Sequence, residues 1–96
     1  MQERIYQVFG GRELRETEAI LTRDGETKRV IAIEGWCDYG AVDVIWDSKS
    51  PWVSGEQRRC VGTYQNYGTA CRELRRQVKK LVADGWANVE AAEARR

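Results

Sequence analysis

The chain has 96 residues, of which 42% are hydrophobic and 32% are charged, and its net charge is +1. This length supports one small core, and the apolar residues form no run near the roughly 18 that cross a bilayer, so we expect a single domain without a membrane partner. The absence of histidine excludes Cys-His and Ser-His-Asp catalytic arrangements and histidine-based metal sites.

The N-terminus and the cysteines predict the cell compartment. Residues 1–4 precede no apolar stretch of the kind that forms a secretory signal. Cys37, Cys60 and Cys71 are widely spaced and form no C-x-x-C pair, which argues against a disulfide scaffold. We expect these cysteines to be small buried apolar residues and the protein to be cytoplasmic.

The first part of the chain predicts antiparallel strands. Residues 4–9 alternate in polarity and end at Gly10-Gly11, which is a turn signal. Residues 17–23 and 26–34 flank Asp24-Gly25, a pair that suits a two-residue type I′ turn because both central residues take positive φ. We therefore predict one strand followed by a hairpin.

Two more strands are predicted before the helix. Residues 41–46 are β-branched and aromatic, and residues 58–64 form the last β-rich segment. Between them lies 47–56, which contains the only proline of the chain. We expect this segment to be a loop of about ten residues, which is long for a hairpin connection.

One strongly periodic segment predicts a helix over about 67–84. Apolar residues recur there at spacings of three and four, and this stripe comprises Tyr67, Cys71, Leu74, Val78, Leu81 and Val82. Asn66 is the expected N-cap, with Thr69 as the alternative. Gly85 at C′ and Trp86 at C″ predict a Schellman ending in which Trp86 contacts Leu81.

These elements predict a two-layer α+β fold. An antiparallel sheet of four to five short strands is covered on one face by one amphipathic C-terminal helix. The run Val30–Ile33 and the helix stripe would form most of the core. Residues 1–87 make up the domain, and 88–96 form an Ala-, Glu- and Arg-rich extension, either a frayed helix capped by Asn88 or a mobile tail.

Charge is unevenly distributed along the chain. Residues 1–57 hold 7 Lys/Arg and 11 Asp/Glu, a balance of −4, whereas residues 58–96 hold 9 and 4, a balance of +5. The predicted binding residues of the second part are Arg58, Arg59, Arg72, Arg75, Arg76, Lys79 and Lys80. The last five would form one exposed strip on the helix, here named the basic strip. Like charges at i, i+4 destabilise a helix by about 0.2–0.5 kcal/mol per pair, so the strip does not serve helix stability.

Three interpretations of the basic strip remain open. In the first, it is a solvated face whose charges are attracted to the acidic residues within 34–47 of the same molecule. In the second, it binds nucleic acid by neutralising phosphates, and of the two binding partners the sequence slightly favours nucleic acid over an acidic protein. Alternatively it binds an acidic protein surface, including the 34–47 region of a second copy in a homodimer.

Aromatic residues add to the predicted binding surface. Trp46 and Trp86 are expected in the core. Trp52 follows the proline of the predicted loop, and Trp36 lies between two glycines in "GWCDYG". We predict that Trp52, Trp36 and Tyr64 are contact residues, because exposed aromatics anchor interfaces and stack on unpaired bases.

A remote alternative is a magnesium-dependent nuclease. Asp47-Ser48-Lys49 follows a predicted strand, and Glu34 lies upstream. This order resembles the acid and acid-x-lysine of PD-(D/E)xK nucleases, in which two carboxylates hold the metal. No phosphate-binding loop is present, and we expect no cofactor, no metal site and no catalytic residues.

The last part of the chain resembles a WGR-type domain. The resemblance covers residues 46–86, from Trp46 through Gly55 and Tyr64 to Ala70 in the helix and the closing Gly85-Trp86. The family's Trp-Gly-Arg signature is absent, because Asp47 and Ser48 follow Trp46. The resemblance implies a sheet-and-helix fold and interactions with DNA ends.

Overall fold

A computed structural model describes residues 1–35, 39–49 and 52–89 of the chain. These residues form an antiparallel sheet packed against one helix, which confirms the two-layer α+β prediction. The strands are β1 Gln2–Phe9, β2 Arg12–Arg23, β3 Glu26–Glu34, β4 Gly40–Lys49, β5 Ser54–Tyr64 and β6 Ala87–Val89, and the helix is α1 Tyr67–Ala83. The sheet order is β1-β2-β3-β4-β5, and β6 also pairs with β2.

Two tight turns set the register of the first three strands. Asp24 and Gly25 have φ of 51° and 80°, which confirms the predicted hairpin between β2 and β3. Gly10 and Gly11 have φ of 51° and 84° and connect β1 to β2 in the same way. As a result β2 begins at Arg12, earlier than the predicted 17, because pairing with β1 overrides the helix-forming residues of 12–16.

The prediction of a ten-residue loop at 47–56 is wrong, because the connection is shorter. β4 continues to Lys49 and β5 begins at Ser54, so only 50–53 connect them. Asp47 pairs with Glu56 and Ser48 with Gly55, which extends the ladder through polar residues. Strand pairing in the hairpin, which local polarity does not reveal, outweighs the weak β propensity of these residues.

A sixth strand replaces the start of the predicted C-terminal extension. Ala87–Val89 pairs antiparallel with Thr22–Ile20 of β2, so Asn88 lies in a strand and caps no helix. β1 pairs with β2 only up to Glu18, which leaves the next part of the same edge to β6. Residues 90–96 of the predicted extension lie outside the described residues.

Cross-strand pairs define two faces of the sheet. The face toward α1, here the helix face, contributes Ala19, Leu21, Val30, Ala32, Val42 and Val44 to the core. The other face, here the opposite face, carries their strand neighbours, among them Ile31 and Ile45, which are also buried. The run Val30–Ile33 is therefore divided between the two faces, and only Val30 and Ala32 lie under the helix.

The two ends of α1 match the sequence prediction. The Asn66 side chain accepts a hydrogen bond from the Thr69 amide at 2.8 Å, so Asn66 is the N-cap. Gly85, with φ of 96°, donates to the Val82 carbonyl, and the Trp86 amide donates to the Leu81 carbonyl, each at 3.0 Å. These two bonds form the predicted Schellman ending.

Close packing brings the helix onto the sheet at Gly40. A methyl group on Gly40 would lie 2.6 Å from the Ala70 Cβ and 2.9 Å from the Asn66 carbonyl oxygen. The inner side of α1 buries Tyr67, Ala70, Leu74 and Val78, while Val82, predicted in the apolar stripe, is exposed. Trp86 is buried and Trp46 is partly buried against the core, as predicted.

Candidate functional site

The outer side of α1 presents the basic strip. Because Leu74 and Val78 face the sheet, the residues between them in sequence point away from it. All five cations are exposed, as predicted: Arg72, Arg75, Arg76, Lys79 and Lys80. From residue 72 to residue 80 the strip is roughly 12 Å long at 1.5 Å per residue.

One member of the strip is paired with an acid. Arg76 makes two hydrogen bonds to the Glu73 carboxylate, at 2.7 and 2.8 Å, and Gln77 donates a third at 2.9 Å. The bonds from Arg76 and Gln77 lower the pKa of Glu73 to about 2. Glu73 therefore stays ionised and offsets the charge of Arg76.

The other four cations carry their charge without a carboxylate in contact. Within the described part of the chain, Arg72, Arg75, Lys79 and Lys80 form no ion pair. The exposed residues that accompany them on α1 are small or aliphatic, namely Gly68, Val82 and Ala83. The strip is therefore an elongated array of charge, in two adjacent rows, without an aromatic group at its centre.

The two adjacent arginines of β5 point to different sides of the sheet. Arg59 pairs across the ladder with Val44, a core residue, so it lies on the helix face beside α1. Arg58 pairs with Ile45 on the opposite face, where its Nε lies 3.0 Å from Asp43 Oδ2. Of these two predicted binding residues, only Arg59 shares a side with the basic strip.

The predicted aromatic contacts do not form one cluster. Trp52 is 91% exposed and lies in the β4–β5 connection. That connection is at the same end of the sheet as the C-terminal end of α1, since Trp46 pairs with Lys28 and the Lys28 ammonium lies over the Trp86 ring. Trp36 lies outside the described residues.

Tyr64 lies toward the other end of the sheet. It pairs with Gly40, near the start of α1, and its ring lies over Gly62 and against the core. Burial raises the pKa of Tyr64, and the charge of Glu73 adds to the increase. Tyr64 is therefore a partly buried neighbour of the strip and does not expose its ring for stacking on a base.

Two acidic residues of 34–47, Glu34 and Asp43, bind arginines of the sheet. Glu34 forms an ion pair with Arg15 on the helix face, with Nη2 and Oε2 3.3 Å apart, and Asp43 pairs with Arg58 on the opposite face. Burial raises the pKa of Glu34, hydrogen bonds from Arg15 lower it, and the hydrogen bonds prevail. Neither carboxylate pairs with α1; Asp38 lies outside the described residues.

The carboxylates of the nuclease pattern are not brought together. Glu34 pairs with Gly40 at one end of the β3–β4 ladder, and Asp47 lies beyond Trp46 at the other. These positions are seven residues apart along β4, which corresponds to roughly 23 Å. Among the described residues there is no group of three or more acids or cysteines placed to hold a metal ion.

Sequence reasoning missed a chain of ion pairs on the opposite face. Glu18 is 2% exposed and accepts hydrogen bonds from Arg4 at 3.2 Å and Arg29 at 3.1 Å. Arg4 also pairs with Glu16, and Arg29 with Glu56. The signal in the sequence is Glu16-Thr-Glu18, whose alternation puts both carboxylates on one face of a strand.

This ion-pair chain borders a small pocket. Its volume is about 60 Å³, and its lining includes Arg29, Ile45, Trp46 and Glu56. Every buried side-chain nitrogen or oxygen of the described residues has a hydrogen-bond partner. The ion pairs are thus satisfied within the protein.

The cysteines differ from the sequence prediction. Cys60 is exposed on β5, which contradicts its prediction as a buried residue, because an edge strand leaves one side uncovered. Cys71 is partly buried against the core, and its Sγ lies 3.7 Å from Thr17 Oγ1. Both are free thiols, and Cys37 lies outside the described residues.

Comparison with protein-family models, with curated proteins and with solved structures found no match for this chain. The resemblance of residues 46–86 to WGR-type domains stays a prediction. In the part of the chain that the structure describes, no helix has the length and apolar character to cross a membrane.

Proposed function

We propose that this domain binds nucleic acid through the basic strip of α1. The observation that carries the proposal is the set of four exposed cations without ion pairs in the described residues, Arg72, Arg75, Lys79 and Lys80. Phosphates follow one another every 3.4 Å of helix axis along one strand of DNA, so a strip of roughly 12 Å spans about three to four of them.

The shape of the strip favours a linear polyanion over a folded acidic protein. Protein interfaces concentrate their binding energy in aromatic or arginine anchors that insert into pockets of an apolar centre. The outer side of α1 has no aromatic residue, and its cations form two adjacent rows along the helix. Such an elongated array suits the regular charge of a phosphate backbone.

Two further residues extend the proposed surface. Arg59 lies on the helix face and is exposed, so it adds a cation beside the strip. Trp52 lies toward the C-terminal end of α1 with 91% of its surface exposed. A ring in this position stacks on an unpaired base, which contributes about 1–3 kcal/mol in proteins that bind single strands.

The proposal is tested by fluorescence polarisation with labelled single-stranded and duplex oligonucleotides at several salt concentrations. If about four phosphates are neutralised, log K falls against log salt with a slope of about −3.6 for duplex DNA. Arg72→Gln/Lys79→Gln removes two of the four contacts, so we expect a slope of about −1.8 and a more than tenfold loss of affinity at low salt.

A matched control removes the same charge from the other side of the sheet. Arg12→Gln/Arg58→Gln also lowers the net charge by two, but both side chains lie on the opposite face. The control should bind within about twofold of the wild type. No binding at low salt, or an equal loss in both double variants, contradicts the proposal. Binding of polyglutamate but not of nucleic acid through the same residues identifies an acidic protein as the partner.

Substitution of Trp52 distinguishes binding of single strands from binding of duplexes. Trp52→Ala should weaken binding of the single strand by about tenfold and leave duplex binding unchanged, because the bases of a duplex are already stacked. Val53→Ala, at the neighbouring exposed residue, is the control. Equal effects of Trp52→Ala on both forms of DNA remove stacking from the proposal.

A further inference from the structure

β5 is an edge strand of the sheet. Among the residues that the structure describes, it pairs with β4 and with no other strand. A β-bulge interrupts it at Val61, because Val42 pairs with Gly62 and Asp43 with Cys60. The regular part of this edge is therefore 55–60, and its unpaired backbone groups are a template for another strand.

The charges of this segment follow a self-complementary pattern. Glu56 pairs with Asp47 and Arg58 with Ile45, so both side chains lie on the opposite face, one on each side of Gln57. An antiparallel strand that complements them must carry a cation across from Glu56 and an acid across from Arg58. Because that strand runs in the other direction, its own order is also acid, spacer, cation. This is the order of β5 itself.

We propose that β5 pairs antiparallel with β5 of a second copy of this chain, with Gln57 on the two-fold axis. In this register Glu56 of each copy lies across from Arg58 of the other, so two ion pairs form between the copies. On the helix face Gln57 meets Gln57, and Arg59 meets Gly55. Such a contact is isologous, because both copies use the same residues.

The charges of β5 select this register over its neighbours. Residues across an antiparallel pair share a face, so the two-fold axis must pass through a residue. An axis through a charged residue places that charge across from its own copy, which is destabilising. An axis at Gly55 or Cys60 places no cation across from Glu56. Charges on an edge strand usually discourage pairing, and here they leave one register favourable.

A second copy also offsets a charge conflict within the first. Asp47 lies directly across from Glu56, so two carboxylates face each other on the β4–β5 ladder. Like charges in this position are destabilising, and Arg29 offsets part of their charge through its ion pair with Glu56. Arg58 of the second copy would lie on the other side of Glu56 and add a second cation.

Both charged side chains are accessible to a second copy. The Glu56 side chain is 61% exposed although it pairs with Arg29, and the Arg58 side chain is 55% exposed although its Nε contacts Asp43. Arg29 and Asp43 belong to inner strands of the sheet. The internal ion pairs therefore hold Glu56 and Arg58 from the side of β4 and leave the outer side of β5 uncovered by either partner.

This dimer keeps the basic strip accessible. Because paired residues share a face, both α1 helices lie on the same side of the joined sheet. The two basic strips then face in the same direction, and the new contact lies between β5 strands and not on α1. Dimerisation and nucleic-acid binding consequently use different surfaces.

Sedimentation velocity over a range of concentrations tests for the dimer. One short strand per copy buries less than the roughly 800 Å² per partner of a standard interface. We therefore expect a monomer–dimer equilibrium with a dissociation constant on the order of 100 µM. The sedimentation coefficient should rise with concentration from the monomer value toward the dimer value.

Charge reversals test the register. In Glu56→Arg the new cation lies across from Arg58 of the other copy, and in Arg58→Glu the new carboxylate lies across from Glu56. Each variant alone should dimerise at least about tenfold more weakly. In a mixture of the two, the cations of one chain lie across from the carboxylates of the other, so dimerisation should return. The double variant Glu56→Arg/Arg58→Glu should dimerise like the wild type.

Two controls carry the same charge changes at other positions. Arg59→Glu changes the residue next to Arg58, but Arg59 lies on the helix face across from Gly55. Glu13→Arg changes an exposed residue of β2. Both controls should dimerise within about twofold of the wild type. Recovery in the mixture shows that a single reversal removes the contact and not the fold, since the same two chains are present.

Each alternative outcome overturns the proposal. A chain that remains monomeric at about 1 mM has no partner in a second copy. A dimer that the reversals leave unchanged, or that Arg59→Glu weakens equally, does not use this register. A dimer that Arg72→Gln/Lys79→Gln disrupts is the acidic–basic homodimer of the sequence analysis. Nucleic-acid binding is measured far below the expected dissociation constant of the dimer, so failure here leaves that proposal unaffected.

Discussion

Glu73 holds Arg76 in a two-point ion pair across one turn of α1, with nitrogen–oxygen distances of 2.7 and 2.8 Å. This pair removes one cation from the basic strip. Glu73→Gln should release Arg76 and strengthen duplex DNA binding about threefold to tenfold at low salt, with a salt slope steeper by about 0.9. Fluorescence polarisation measures both quantities. Glu13→Gln, which adds the same charge on β2, should change the affinity by less than twofold.

The same ion pair makes stability depend on acid pH. Hydrogen bonds from Arg76 and Gln77 lower the pKa of Glu73 from 4.5 to about 2. A lowered folded-state pKa adds stability that is present above pH 4.5 and is lost as the pH falls toward 2. The melting temperature of Glu73→Gln should therefore lie below that of the wild type at pH 7 and converge with it near pH 2. A constant difference over this range would contradict the pKa shift.

Close contact between Gly40 and Ala70 leaves no room for a larger side chain at residue 40, where α1 packs on β4. Gly40→Ala places a methyl group 2.6 Å from the Ala70 Cβ, so we expect it to lower the free energy of unfolding by about 1–3 kcal/mol. Gly68→Ala is the control, because its methyl group would lie 3.4 Å from the Asn66 Oδ1 and otherwise in open space. Urea unfolding distinguishes them, and equal effects would exclude close packing at Gly40.

Removing the buried Glu18 carboxylate should clearly lower the free energy of unfolding. Glu18→Ala leaves Arg4 and Arg29 without their shared partner over an apolar surface. We expect a loss of about 2 kcal/mol, less than for a fully buried pair because both arginines reach solvent. Glu13→Ala, at an exposed position of the same strand, should cost less than about 0.5 kcal/mol. Similar losses in the two variants would show that the ion-pair chain does not stabilise the fold.

Tyr67 predicts a sensitivity to alkaline pH. Burial raises the pKa of Tyr67 above the usual value of 10.0. A raised pKa in the folded state adds stability that is present below pH 10 and is lost as the pH rises beyond it. Tyr67→Phe should cost about 1 kcal/mol at pH 8, because a hydrogen bond with Thr17 is lost.

Above pH 10 the difference between Tyr67→Phe and the wild type should shrink, since phenylalanine does not ionise. Urea unfolding at pH 8 and at pH 10.5 measures the change. Tyr39→Phe, at an exposed tyrosine, is the control and should give a small difference at both pH values. A difference for Tyr67→Phe that grows with pH would reverse the sign of the pKa shift.

Local signals in the sequence predicted the parts of the fold that depend on local geometry. Asp24-Gly25, Asn66 and Gly85 each require a particular backbone conformation or hydrogen bond, and each occupies the predicted position. The exposed cations of α1 followed from helical periodicity alone. The parts that failed depend on distant pairing: β2 begins early because of β1, and β6 exists because β1 leaves part of the β2 edge uncovered.

The arrangement of the candidate site was harder to predict than its members. Arg58 and Arg59 are adjacent in sequence, so strand alternation places them on opposite faces of the sheet. Only the register with Val44 and Ile45 shows that Arg59 is the one on the helix face. The acidic residues of 34–47 suggested a partner for the helix, but two of them, Glu34 and Asp43, bind Arg15 and Arg58. These ion pairs form between strands, so the separation of two residues in the sequence does not predict whether they pair.

β6 and β1 lie end to end along one edge of β2. Val89 pairs with Ile20 and Gln2 with Glu18, so their backbones are roughly 7 Å apart. A linker of a few residues in place of 90–96 spans this distance without disturbing either strand. A circularly permuted chain opened at Asp24-Gly25 would then fold to the same sheet, and it would make β1 and β6 one continuous segment of the polypeptide.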